Sequence, residues 1–182
     1  MKQILLTLSI LMVSMSYAQV SFYDLSATTI DGESFDFESL KGQKVLIVNV
    51  ASKCGLTPQY EDLEALYTMY KSDNFTIIAF PANNFAHQEP GTDDEIKAFC
   101  EANYGVSFPM MSKISVKGDD MHPVYQWLTQ KDKNGLKDSK VQWNFQKYLI
   151  DEKGHLIEVF SPKTKPLSET ITSKIKAKAA MH

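Results

Sequence analysis

The 182-residue chain is 43% hydrophobic and 23% charged with a formal net charge of −3, which describes one globular domain with a full core and not a disordered segment. Mild acidity argues against a nucleic-acid partner, and because every basic residue is a lysine no guanidinium fork is available to grip carboxylates or phosphates bidentately. The histidines, at 87, 122, 155 and 182, lack ligand spacing, so no metal site is expected; Cys54 and Cys100 are too few for a disulfide framework but enough for one redox pair.

Lys2, the apolar run Ile4 to Val13 and the small residues of Ser16-Tyr17-Ala18 read as a signal peptide over residues 1–18, since a membrane-spanning helix needs roughly 20 apolar residues. Export follows, with no stable membrane insertion, and residues 19–182 form a single domain. Phe22 to Asp36 alternates about Asp31-Gly32 as a peripheral hairpin. Val45 to Val50 is a β-branched, nearly all-apolar run, the pattern of a central strand covered on both faces. After a turn, Thr57 as N-cap and Pro58 at the first helical position open a helix that buries Tyr60, Leu63, Leu66, Tyr67 and Tyr70. Phe75 to Phe80 is a second short strand, and strand, helix, strand implies a parallel pair with a right-handed crossover. That crossover brings Cys54 and the polar loop 81–91 to one sheet edge.

Thr92 to Glu95 is a capping box for a helix whose apolar stripe is Ile96, Phe99 and Cys100. On pattern alone Cys100 is a core thiol. Phe108 to Val116 is irregular, Pro123 to Leu128 a short helix and Gln130 to Lys140 a solvated loop. Strands Lys147 to Ile150 and Leu156 to Phe160 pair about the turn Asp151 to Gly154. A closing helix from about Pro166 turns Leu167, Ile171 and Ile175 inward. No repeat, linker or second domain is visible.

Cys54 is the candidate nucleophile. It lies at a strand-to-helix turn, near the unpaired N–H groups and positive end of a helix and beside Lys53, a setting that favours thiolate. The competing reading, a small buried hydrophobe, is the usual lot of a free cysteine.

Three blocks settle between those readings. NVASKCGLTPQY around Cys54, FPANNFAHQEPG at residues 80–91 and WNF at 143–145 resemble the signature blocks of the glutathione peroxidase family, in order and over nearly the whole chain after the leader. The order of elements resembles a thioredoxin fold. The resemblance implies an α/β domain, a central mixed sheet flanked by helices with an N-terminal β-hairpin, and no cofactor. It implies that Cys54 is the peroxidatic thiol, surrounded by Gln88, Trp143 and Asn144, with Lys53 in support. Attack on a peroxide needs donors for a sulfur anion and a developing oxyanion, and two amides and an indole supply them without a competing acid. It further implies that Cys100 is the resolving cysteine of the thioredoxin-dependent branch, and that its helix opens to reach Cys54.

The expected activity is reduction of hydrogen peroxide and organic or lipid hydroperoxides, through a Cys54 sulfenic acid and a Cys54–Cys100 disulfide. A thioredoxin-like reductant is expected in preference to glutathione, whose carboxylates only lysines could hold. The insertion that the tetrameric members carry is missing between Leu128 and Val141, which implies an open site and a monomer. Ala82 and Asn84 depart from the FPCNQF of many relatives. Two other readings remain: a peroxide sensor with negligible turnover, and an exported thiol–disulfide oxidoreductase. The latter usually needs Cys-x-x-Cys, where this chain has Thr57 in the second place.

Overall fold

The computed structural model describes residues 20–177; the expected signal peptide lies outside them. Six strands and five α-helices follow in chain order: β1 (Ser26–Thr28), β2 (Ser34–Asp36), β3 (Lys44–Val50), α1 (Gln59–Tyr70), β4 (Phe75–Pro81), α2 (Asp93–Tyr104), α3 (Pro123–Thr129), α4 (Lys131–Asn134), β5 (Lys147–Ile150), β6 (Leu156–Phe160) and α5 (Glu169–Lys176). The main sheet has the order β4-β3-β5-β6. β3 runs parallel to β4, with Leu46 opposite Ile77, and antiparallel to β5, with Leu46 opposite Leu149. It is therefore the mixed sheet that the strand patterns call for, with β3 inside and buried at every residue.

Alternation along β3 divides the core in two. Leu46, Val48 and Val50 pack with Tyr60, Leu63 and Leu66 of α1, Ile96 and Cys100 of α2, and Ile171 and Ile175 of α5. Val45 and Ile47 face Phe22, Phe37, Tyr125, Trp127 and Leu128. The β1–β2 hairpin pairs Ala27 with Phe35 and is hung on the β4 edge through residues 110–112: Ile30 N–H donates to Met110 O at 3.0 Å, and Met111 N–H to Ala79 O at 2.8 Å.

Three local expectations are corrected. The run 130–140 is not all loop, because α4 forms inside it. Asn134 closes it, its Oδ1 accepting from the N–H groups of Leu136 and Lys137 at 2.8 and 3.1 Å, while Lys131 N–H donates to Asp138 at 2.8 Å. Polar side chains that bond their own backbone fold a segment that hydropathy reads as coil. The closing helix starts later than Pro166, after a turn in which Ser168 N–H reaches Lys165 O, and Leu167 is 40% exposed, not inward. Helix α1 starts at Gln59, and Thr57 does not cap it.

Lys44 explains how α5 ends. Only 5% exposed, its ammonium donates to Lys174 O at 3.1 Å and Ile175 O at 2.8 Å and also contacts Ala177 O. A cation on the last carbonyls satisfies acceptors that the helix leaves unpaired and complements its negative end.

Candidate active site

The turn 51–58 joins β3 to α1. Cys54 N–H donates to Thr57 Oγ1 at 3.0 Å, the Thr57 hydroxyl donates to Ala51 O at 2.8 Å, and Thr57 N–H closes on Cys54 O at 3.0 Å. Thr57 thus fastens the cysteine turn instead of the helix, since a donor and an acceptor lie nearer within the turn than at the helix start. Cys54 is 8% exposed, and its sulfur accepts the Leu56 N–H at 3.4 Å. Lys53 is exposed, with its N–H on Gln88 O at 3.0 Å.

The other predicted residues arrive from two directions. Gln88 comes on the loop after β4. That loop turns through left-handed backbone at Ala86 (φ 50°) and His87 (φ 53°) and closes with Gln88 N–H on Phe85 O at 3.2 Å. Trp143 and Asn144 come on the segment before β5. Asn144 is fully buried and its Nδ2 donates to Gln88 Oε1 at 2.9 Å. The two amides form a pair, which leaves the Gln88 amide group as a spare donor and Asn144 Oδ1 without a partner among the described residues. Trp143 is 38% exposed and lies on Phe85, ring centroids 5.3 Å apart. The amide of Gln88, the amide of Asn144 and the Trp143 indole do not bond the Cys54 sulfur in this state.

Asn49 was missed from the sequence. It is the one polar residue in the interior of β3, fully buried, and its Nδ2 donates to Trp143 O at 3.0 Å while its own carbonyl accepts the Phe145 N–H at 2.6 Å. This holds Trp143-Asn144-Phe145 against the central strand and keeps Phe145 at φ 67°, a conformation costly for a bulky residue that its surroundings must impose. An asparagine inside VLIVNV was the available signal, because a buried amide needs partners.

Cys100 has a different setting. It sits in the third turn of α2, fully buried, and burial pushes its thiol up to about 11. Tyr60 lies beside it, fully buried, its phenol held well above the ordinary value by burial. Cys54 and Cys100 are both free thiols. Among the described residues no group of three or more histidines, cysteines, aspartates or glutamates could hold a metal ion.

A parallel–antiparallel sheet that presents a cysteine at the head of α1, with a second thiol on the next helix, defines a thiol-based oxidoreductase of thioredoxin fold. The glutathione peroxidase family model matches residues 22–129. A glutathione peroxidase-like peroxiredoxin, HYR1 of Saccharomyces cerevisiae, is 54% identical over 157 residues, covering 85% of this chain and 96% of its own length. The glutathione peroxidase homolog BsaA of Halalkalibacterium halodurans is 49% identical over 81% of this chain and 94% of its own. Among solved structures, the T. cruzi GPX1 crystal structure superposes with a TM-score of 0.67 at 35% identity, over 86% of this chain and 94% of that one. The chain belongs to the glutathione peroxidase family, and it is an oxidoreductase acting on peroxides.

Proposed function

We propose that Cys54 reduces hydrogen peroxide and organic or lipid hydroperoxides, that Cys100 resolves the product, and that a thioredoxin-like protein restores both thiols. The observation that supports this reading is that the cysteine turn, with a backbone N–H on the Cys54 sulfur, is tied by Lys53 N–H on Gln88 O at 3.0 Å to the loop whose Gln88 side chain pairs with Asn144. The thiolate pair attacks one peroxide oxygen, an S–O bond forms, the O–O bond breaks, and the departing hydroxide or alkoxide takes a proton. Charge moves from sulfur to the leaving oxygen, so fixed donors near both atoms lower the barrier. The spare Gln88 amide and the Trp143 indole are neutral donors for that oxygen. Lys53, exposed on the turn itself, adds positive potential.

Resolution then joins the sulfurs. Since Cys100 starts inside a helix with its thiol at about 11, opening of α2 serves two ends: it closes the distance, and it restores water to a thiol that must lose its proton. The same reading has the leader exporting the protein, so that it works as a monomer in a compartment supplied by a thioredoxin-like donor.

The test is rapid-mixing kinetics of the reduced protein with hydrogen peroxide and an organic hydroperoxide, followed by turnover with thioredoxin or glutathione. Oxidation no faster than a free thiol sinks the peroxidase role. Fast oxidation without turnover selects the sensor, and faster turnover with glutathione reverses the choice of reductant.

A further inference from the structure

Glu89 is a buried acid that the chemistry above does not use. It is 1% exposed, and its Oε2 accepts the Ser52 hydroxyl at 3.1 Å. Its main chain is also held, the N–H by Asn83 Oδ1 at 2.9 Å and the carbonyl by Lys113 Nζ at 3.4 Å. With Lys53 N–H on Gln88 O at 3.0 Å, residues 88 and 89 clamp residues 52 and 53, the two positions before Cys54. From Glu89 the chain runs straight into α2 and so to Cys100. Above the clamp is a cavity of about 360 Å³, with Ser52 and Lys53 on one wall and Ile96 and Phe99 of α2 on the other. Ala51 and Cys54 of the turn also pack in one core cluster with Ile96 and Cys100 of α2, so Glu89 adds a polar link to an apolar one.

The titratable groups that face Glu89 are Lys53 on the turn, Lys113 on the segment after β4, Glu95 on α2, and, deeper, Cys100 and Tyr60. Burial raises the Glu89 carboxyl above its ordinary value, and hydrogen bonding from Ser52, then Lys113 and Lys53, only partly offset this. A carboxylate without an ion-pair partner in contact is an expensive way to stabilise a fold. It is a sound way to mark one conformation if its hydroxyl partner is held only there.

We propose that Glu89 is a positioning residue that sets the balance between the Cys54–Cys100 dithiol and its disulfide: its contact with Ser52 exists only while α2 is closed and so stabilises the reduced form. The inference rests on Cys100 as the resolving thiol. In that step the Cys100 thiolate attacks the sulfenic sulfur of Cys54, the S–S bond forms, the S–O bond breaks, and the oxygen leaves as water with the proton that Cys100 released. A contact made only in the dithiol form opposes the disulfide by its own free energy.

The experiment is equilibration of the protein with reduced and oxidised dithiothreitol, and the same for Ser52→Ala, Glu89→Ala, Glu89→Gln and the Ser52→Ala/Glu89→Ala double variant. Each alanine variant is expected to shift the equilibrium about tenfold toward the disulfide, a potential lower by about 30 mV. The double variant should shift by less than the sum of the two single ones, since both remove the Ser52 hydroxyl bond. Glu89→Gln, which keeps an acceptor for Ser52, should shift less. Ser52 is half-buried, so Ser52→Ala carries the test if Glu89→Ala does not fold. Equal potentials, or additive shifts, overturn the proposal. Failure of the unsubstituted protein to form a Cys54–Cys100 disulfide instead overturns the resolving role of Cys100.

Discussion

The two cysteines occupy opposite kinds of place. Cys54 sits in a turn fastened by Thr57, with a backbone N–H on its sulfur and the turn tied to the loop that carries Gln88. Cys100 sits in a regular helix, fully enclosed by apolar side chains and by Tyr60. On the proposed cycle, one thiol reacts where it stands, whereas the other must be delivered. The difference fits a two-step cycle in which the first step needs speed and the second needs a conformational change.

The sharpest way to break that contrast is at Cys54. Cys54→Ser should lower the rate of peroxide consumption by about a thousandfold or more, because the other thiol, Cys100, is fully enclosed within α2; stopped-flow peroxide decay reads it. Next, Asn144→Ala removes the partner of Gln88 and is expected to slow the first oxidation about a hundredfold, the scale of losing an oriented donor. An equal loss in Cys100 chemistry with no change in the first step would move Asn144 out of the peroxide site. Cys100→Ser should leave the first oxidation within about twofold while thioredoxin-driven turnover falls about thirtyfold, as the sulfenic acid then waits for an outside thiol. Normal cycling of that variant would remove Cys100 from the reaction.

A smaller effect, on stability, tests the scaffold that joins the two regions. Lys147 is fully buried on β5, three residues after Asn144, and donates to Gln59 Oε1 at 2.6 Å, Thr164 O at 2.8 Å and Pro162 O at 3.2 Å. It ties the first residue of α1 to the strand that follows Asn144. Burial pulls its ammonium down to about 7 from 10.5. Between those values the unfolded chain holds a proton that the folded chain has released, so stability should rise with pH across that window, by on the order of 5 kcal/mol at most. The three oxygen acceptors favour the charged form and reduce the gain. Urea denaturation at several pH values should show this rise in the protein and lose it in Lys147→Met.

Much of the frame was legible in the sequence because it rests on periodicity. The all-apolar run of β3, the helical stripe of α1 and the capping box at Thr92, which the fold reproduces with Thr92 Oγ1 on Glu95 N–H and Glu95 on Thr92 N–H, are patterns of neighbours in the chain. The candidate site was legible as three blocks of residue types. Their connections were not: Asn49 holding Trp143, the pairing of Gln88 with Asn144 and the clamp of Glu89 on Ser52 all join residues far apart in sequence. Thr57 shows the limit most directly. Its type and place suit an N-cap, yet the folded turn offers its hydroxyl the Cys54 N–H and the Ala51 carbonyl instead.

By itself, then, the sequence determined the order and type of the main elements, the family and the two thiols, since these follow from local propensity, hydrophobic spacing and contiguous motifs. Tertiary structure alone decided which polar groups are buried and with whom. That choice belongs to the closed sheet and the loops across its edge, because a buried amide, carboxylate or ammonium takes whichever partner packing brings within hydrogen-bonding distance.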